Sequence, residues 1–154
     1  MRAGWSDAYV GIPFLDGGRT RAGVDCWGLV RIVYEEEFGI ALPLYDEGYE
    51  DTLDSASIEE IFDEERAAWA PVQVPRPGDA VMLRILSYPC HVGVVVDRRF
   101  FLHTMGVRDT CLQKLSAPEW QPRILAFYRH RSMLLPTRAP SGPAPAGSSR
   151  PPPI

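Results

Sequence analysis

Apolar side chains change their spacing along these 154 residues. From Cys26 onward they recur at Trp27, Val30, Val33, Tyr34 and Phe38, the three-and-four spacing of a helix with one buried face. Asp25 stands where an N-cap belongs and Gly39 where a left-handed stop belongs, so the pattern predicts a helix over residues 26–38. Residues 58–69 read as a second, acidic helix with Ser57 as its N-cap. Beyond the turn Arg76-Pro77-Gly78-Asp79 the period shortens, and residues 80–86, 92–96, 100–104 and 124–129 read as short strands. The stretch before the first helix, with Gly11, Pro13, Gly17, Gly18 and Gly23, reads as loop. One early helix followed by consecutive strands predicts an α+β domain, the helix packed on an antiparallel sheet.

Composition bounds this picture. With 45% hydrophobic and 23% charged residues, the chain carries enough apolar material for one core, assigned to residues 1–135. Residues 136–154 are almost wholly Pro, Ala, Gly, Ser, Thr and Arg. They cannot bury enough apolar area to offset their ordering entropy, so they are expected to form a disordered tail or tether. A net charge of −4 without a basic stripe argues against nucleic acid as a partner. No secretory signal is visible after Met1, and no apolar run is long enough to insert in a membrane, so synthesis in the cytoplasm is expected.

The chemistry concentrates in three segments. Asp25-Cys26-Trp27-Gly28-Leu29-Val30 places a thiol at a helix start, where unpaired amides and the helix dipole favour thiolate and can hold an oxyanion. His91-Val92-Gly93-Val94 and Phe101-Leu102-His103 place imidazoles on neighbouring strands. A hairpin centred near Asp97 would set His103 opposite His91, whereas a turn at Arg98-Arg99 would offset them and require a bulge. Cys26 is thus the candidate nucleophile, His91 its base and His103 the residue that orients His91. Cys90 falls on the opposite strand face from His91 and is assigned to the core; Cys111 is given no role, and His130 is read as surface. All three cysteines are read as reduced. No Cys-x-x-Cys or His-x-x-x-His spacing marks a metal site, and no cofactor is expected.

These segments, with Gly11-Ile12-Pro13-Phe14 and Gly17-Gly18, resemble the NlpC/P60 cysteine peptidases in order and spacing over about residues 8–130. The resemblance implies a papain-like α+β core, cleavage of peptide stems in bacterial peptidoglycan, and a triad of Cys26, His91 and His103. The Cys26 backbone would contribute to the oxyanion hole, and Trp27, where many members carry Ser, would fall at a substrate contact. Many members also carry Tyr where this chain has Phe14. The Asp25-Cys26-Trp27-Gly28 form looks most like a phage-borne branch associated with tail tips, similar to the tail assembly protein K group. That likeness implies other tail-tip proteins as partners and a place in a phage tail or related particle acting at the host envelope. The alternative is a docking component of a tail tip that keeps a hydrolase fold.

Overall fold

The computed structural model describes residues 2–44, 67–85, 88–106 and 108–134, with the backbone alone at 88–90. A short hairpin of β1 (Arg19–Thr20) and β2 (Gly23–Val24) leads into α1 (Cys26–Phe38). A second, six-stranded sheet follows: β3 (Trp69–Val72), β4 (Ala80–Ile85), β5 (Tyr88–Val95), β6 (Phe100–Met105), β7 (Arg108–Lys114) and β8 (Ile124–His130). Every pairing in it is antiparallel, and the strand order is β3-β8-β4-β5-β6-β7. This is the expected α+β arrangement of one helix on an antiparallel sheet.

The helix has the expected bounds because each end carries its own stop. The Asp25 side chain accepts from the Gly28 N–H at 2.7 Å, and Gly39 leaves the helix at φ 66°, donating its N–H to the Glu35 carbonyl. The apolar stripe of α1 packs on one face of the sheet, where Val24, Trp27, Leu29, Val30, Val33 and Tyr34 meet Ala80, Met82, Val92, Val94 and Leu102. Alternate strand residues, Val81, Leu83, Val95 and Phe101, turn the other way and are covered by Trp120 from the segment that precedes β8. The sheet is therefore buried on both faces at its centre, which accounts for the continuous apolar runs of β4 and β5.

The turn at residues 76–79 locks the sheet to the helix. Asp79 is fully buried and accepts from the Arg76 amide at 2.7 Å and from two nitrogens of Arg129 at 2.8 and 2.7 Å, which ties the start of β4 to the end of β8. Gly78 adopts φ 93° against the Phe38 ring, a place without room for a Cβ, and its carbonyl accepts from the Tyr34 hydroxyl.

Several expectations need correction. Most of the second helix (residues 57–66) lies outside the described residues, but its last stretch is not helical: Ala67 and Ala68 form a turn and Trp69 opens β3. The polar stretch holding Cys111 is strand β7, with Cys111 opposite His103. His130 is half-buried, its ring 5.2 Å from that of Trp69 and 6.1 Å from that of Tyr34, so it belongs to the packing. The tail at 136–154 and the Cys90 side chain lie outside the described residues.

Candidate active site

Cys26 is the first residue of α1, and its thiol is buried against β5. The backbone amides of Val92, in the peptide joining His91 to Val92, and of Trp27 favour the thiolate of Cys26. The nucleophile candidate thus meets the base candidate's own strand at the base's own peptide. Of the other first-turn amides, that of Gly28 donates to the Asp25 carboxylate and that of Leu29 to the Asp25 carbonyl.

The two histidines are in direct contact. Nε2 of His91 and Nδ1 of His103 are 2.9 Å apart, with the rings edge to face and both residues buried. The register is neither of the two expected. Val94 pairs with Leu102 and Val95 with Phe101, and the same register carried one residue further sets His103 opposite Gly93. His91 and His103 are thus diagonal neighbours on one face, which long rings can span without a bulge. Gly93 makes the diagonal possible: a Cβ there would sit 2.7 Å from the Leu102 carbonyl oxygen and 3.3 Å from the His103 Cβ. A glycine inside an apolar strand is the sequence signal for such close approach.

Three further residues complete the surroundings. Arg19, on β1, places a guanidinium nitrogen 2.6 Å from the Asp25 carboxylate, and its side chain also bonds the carbonyls of Gly18 and Leu44. This buried pair fixes the residue immediately before the thiol. Gly28 has no room for a Cβ beside the Gly18 carbonyl, so the hairpin lies flush on the first turn of the helix. Trp120 lies over the dyad, its ring 4.6 Å from that of His103, 5.7 Å from that of Phe101 and 6.3 Å from that of His91. Arg19 and Trp120 were not singled out from sequence, since nothing local to either marks a tertiary partner.

Trp27 takes a different place from the one the resemblance implied. It is fully buried in the helix-side core and its indole N–H donates to the Pro43 carbonyl at 2.9 Å, so its ring offers no face to a substrate. Phe14 is half-buried, bridged to Val24 ahead of the helix, with its ring beside Gly106.

Burial dominates the electrostatics. It pushes the Cys26 thiol up to about 12, with the Asp25 carboxylate adding to the effect and the Val92 and Trp27 amides opposing it. The sequence expectation of a thiol lowered by the helix start is thus overridden by desolvation. His91 is pushed down to about 3 by burial and then by His103, and His103 down to about 4 by burial and then by Arg108. The resting site holds a neutral thiol and two neutral imidazoles. Cys26 and Cys111 are free thiols, and among the described residues no cluster of three or more metal-ligating side chains occurs.

A thiol at a helix start thus packs against the strand that carries one member of a hydrogen-bonded imidazole pair, on an antiparallel sheet. The sequence profile of the NlpC/P60 family matches residues 11–129, and the chain belongs to that family. It is 26% identical over 113 residues to the murein DD-endopeptidase MepS/murein LD-carboxypeptidase of Escherichia coli K12, a match spanning 73% of this chain and 53% of that protein. It is 29% identical over 113 residues to the probable endopeptidase NlpC of the same organism, across 72% of this chain and 64% of the relative. The gamma-DL-glutamyl hydrolase of Bacillus subtilis is 25% identical over 138 residues, 88% of this chain but 30% of that protein. The chain thus spans about half to two thirds of the two Escherichia coli proteins and less than a third of the Bacillus subtilis one. The fold is shared with NlpC/P60 proteins of Bacillus cereus (TM-score 0.59, 18% identity, 81% of this chain and 37% of that one) and Staphylococcus aureus (0.58, 22%, 80% and 38%).

Proposed function

We propose that this chain is a cysteine endopeptidase that hydrolyses peptide bonds in bacterial peptidoglycan stems through a thioester acyl-enzyme. The observation that carries the reading is the 2.9 Å contact of His91 Nε2 with His103 Nδ1, with His91 on the strand whose Val92 amide favours the Cys26 thiolate. With His103 engaging Nε2, His91 keeps Nδ1 for the thiol proton. Cys26 Sγ attacks the amide carbonyl, His91 takes the thiol proton and passes it to the leaving amine, and the amine departs. Water then gives a proton to His91 and attacks the thioester, releasing the acid and restoring the thiol. A neutral thiol and a neutral imidazole suit this sequence, because proton transfer from thiol to imidazole then accompanies attack. The substrate class follows from relatives named for murein endopeptidase and gamma-DL-glutamyl hydrolase activities.

We further propose that the chain works in a phage tail or related injection particle, alongside other tail-tip proteins, opening the wall locally. The support is the Asp25-Cys26-Trp27-Gly28 form of the nucleophile segment. Mass spectrometry of purified peptidoglycan digested by the wild type and by Cys26→Ala tests the chemistry. New stem-peptide fragments from the wild type alone are expected, and fragments from both proteins would refute the thiol mechanism. Particles carrying Cys26→Ala are expected to assemble yet infect poorly; failed assembly would favour the docking role.

A further inference from the structure

The polar chain that begins with the His91–His103 hydrogen bond does not end at His103. If His91 is to accept a proton at Nδ1, it carries its own on Nε2 and donates to Nδ1 of His103. Neutral His103 then holds its proton on Nε2, as a donor. That atom is buried, and among the described residues nothing accepts from it. Leaving a buried donor unmatched costs about 1–3 kcal/mol, so the position calls for an acceptor.

His103 also lines a cavity of about 250 Å³ on the Trp120 side of the sheet. Two guanidinium residues, Arg108 from the start of β7 and Arg123 beside Trp120, line the same cavity, with the Gln113 side-chain amide. Glu119 is the one anionic side chain among the lining residues and, like Arg108 and Arg123, is exposed; two cations against one anion leave the lining with a net positive charge. The groups around His103 are thus His91 from β5, Cys111 directly opposite it on β7 together with Arg108 and Gln113, and Glu119, Trp120 and Arg123 from the segment between β7 and β8.

We propose that this cavity is a subsite for a carboxylate group, gripped by Arg108 and Arg123 and accepting from Nε2–H of His103, and that its occupation switches on the Cys26–His91 pair. Two arginines lining one cavity with an N–H donor match a carboxylate in charge and in hydrogen-bonding capacity. An anion at the far end of the chain stabilises His103 as it polarises toward His91, and so stabilises the imidazolium that forms when Cys26 loses its proton. The catalytic use of the subsite rests on the hydrolase reading above, whereas binding of the carboxylate does not. The group could arrive on the peptide substrate or as a free carboxylate; the chemistry of recognition is the same.

The test follows alkylation of Cys26 by iodoacetamide in the full chain, resolved by site with mass spectrometry, across pH and with acetate against chloride at equal ionic strength. Acetate is expected to lower the alkylation midpoint by about one unit, saturably, which is about tenfold in rate below the midpoint. The Arg108→Gln/Arg123→Gln double variant is expected to lose that response. A like response to acetate and chloride, or an undiminished response in the double variant, would overturn the proposal. Nitrogen-15 NMR gives a second reading: the His103 Nε2 resonance moves on acetate addition, and a resonance that stays put also overturns it. A stem tetrapeptide added to Cys26→Ala assigns the source, since displacement of acetate places the carboxylate on the substrate and indifference makes it a free ligand. Because alkylation needs no wall substrate, an acetate response without peptidoglycan cleavage would sink the proposed function and leave the subsite standing.

Discussion

Gly93→Ala is the sharpest perturbation of this site, because it adds one methyl without altering any side chain that carries chemistry. The new Cβ would lie 2.7 Å from the Leu102 carbonyl oxygen, 3.1 Å from Cδ2 of Phe101 and 3.3 Å from Cβ of His103. The first of these is backbone, so β6 must retreat from β5 by about 0.7 Å to restore ordinary contact. Overpacking of this kind costs about 1–3 kcal/mol, partly offset by the roughly 0.5 kcal/mol that alanine gains over glycine within a strand. A net loss near 1–2 kcal/mol corresponds to a fall in Tm of about 2–8 °C for a domain of this size. The functional loss should be larger than the structural one. The same retreat stretches the 2.9 Å contact between His91 and His103, and misplacement on the order of 1 Å can cost about 10²-fold in rate. Thermal unfolding gives the first quantity, and the rate of stem-peptide release at saturating peptidoglycan gives the second. A Gly93→Ala protein with wild-type rate and wild-type Tm would refute the account of how the diagonal dyad is accommodated. Lost stability with an unchanged rate would show that the dyad contact does not matter to turnover.

Other expectations follow from the same geometry. Arg19→Met leaves the Asp25 carboxylate buried without its cation and should destabilise the protein by about 3–5 kcal/mol in urea unfolding. Because the Arg19 charge also lowers the Cys26 pKa, the alkylation midpoint of Cys26 should move further up in that variant. His91 and His103 have folded values pushed below the unfolded one, so the unfolded state binds more protons between about pH 6.5 and the folded values near 3 and 4. Stability should therefore fall as pH drops through that window, by at most about 1.4 kcal/mol per pH unit for each histidine. His91→Asn/His103→Asn should flatten the dependence, and an unchanged acid limb would contradict the assignment. Trp120→Ala uncovers the dyad and should raise both histidine values toward 6.5, readable by NMR titration, while Trp120→Phe should keep them low.

The parts of this structure that were legible beforehand are those whose cues are local. Asp25, the spaced apolar residues of α1 and Gly39 define the helix without reference to anything distant, and the apolar runs of β4 and β5 announce buried strands. What stayed hidden lies at the margins of the sheet. In the order β3-β8-β4-β5-β6-β7, the two unrecognised strands of the main sheet are its two edges. β7 reads Arg-Asp-Thr-Cys-Leu-Gln-Lys with only Thr110 buried, and β3 carries a proline, so neither shows the alternation that marks a half-buried strand. The site was legible as a set of residues and not as a geometry. Cys26, His91 and His103 stand out by chemistry, but the meeting of the two histidines depends on a register set by the turn and by Gly93. The pull of burial on the thiol was equally out of reach, because solvent exclusion is a property of the assembled core. Arg19 meets Asp25 only because the β1–β2 hairpin folds back on the helix start, Arg129 meets Asp79 from 50 residues away, and no spacing rule links either pair.

The segment ahead of the helix carries a consequence for how this domain meets other chains. Gly11 donates to the Thr110 carbonyl at 2.8 Å, Thr110 donates to the Ile12 carbonyl at 2.9 Å, and the Phe14 amide bonds the Asp109 carboxylate at 3.3 Å. Residues 11–14 thereby act as a selvedge stitched along the outside of β7, while Pro71 removes a donor from β3 at the opposite margin. An unpaired strand is an invitation to templated growth, and here one margin is stitched over and the other interrupted. Many copies crowded side by side could then stay separate bodies instead of merging into a continuous ribbon, and any neighbour must be recognised by side chains, not by extending the sheet.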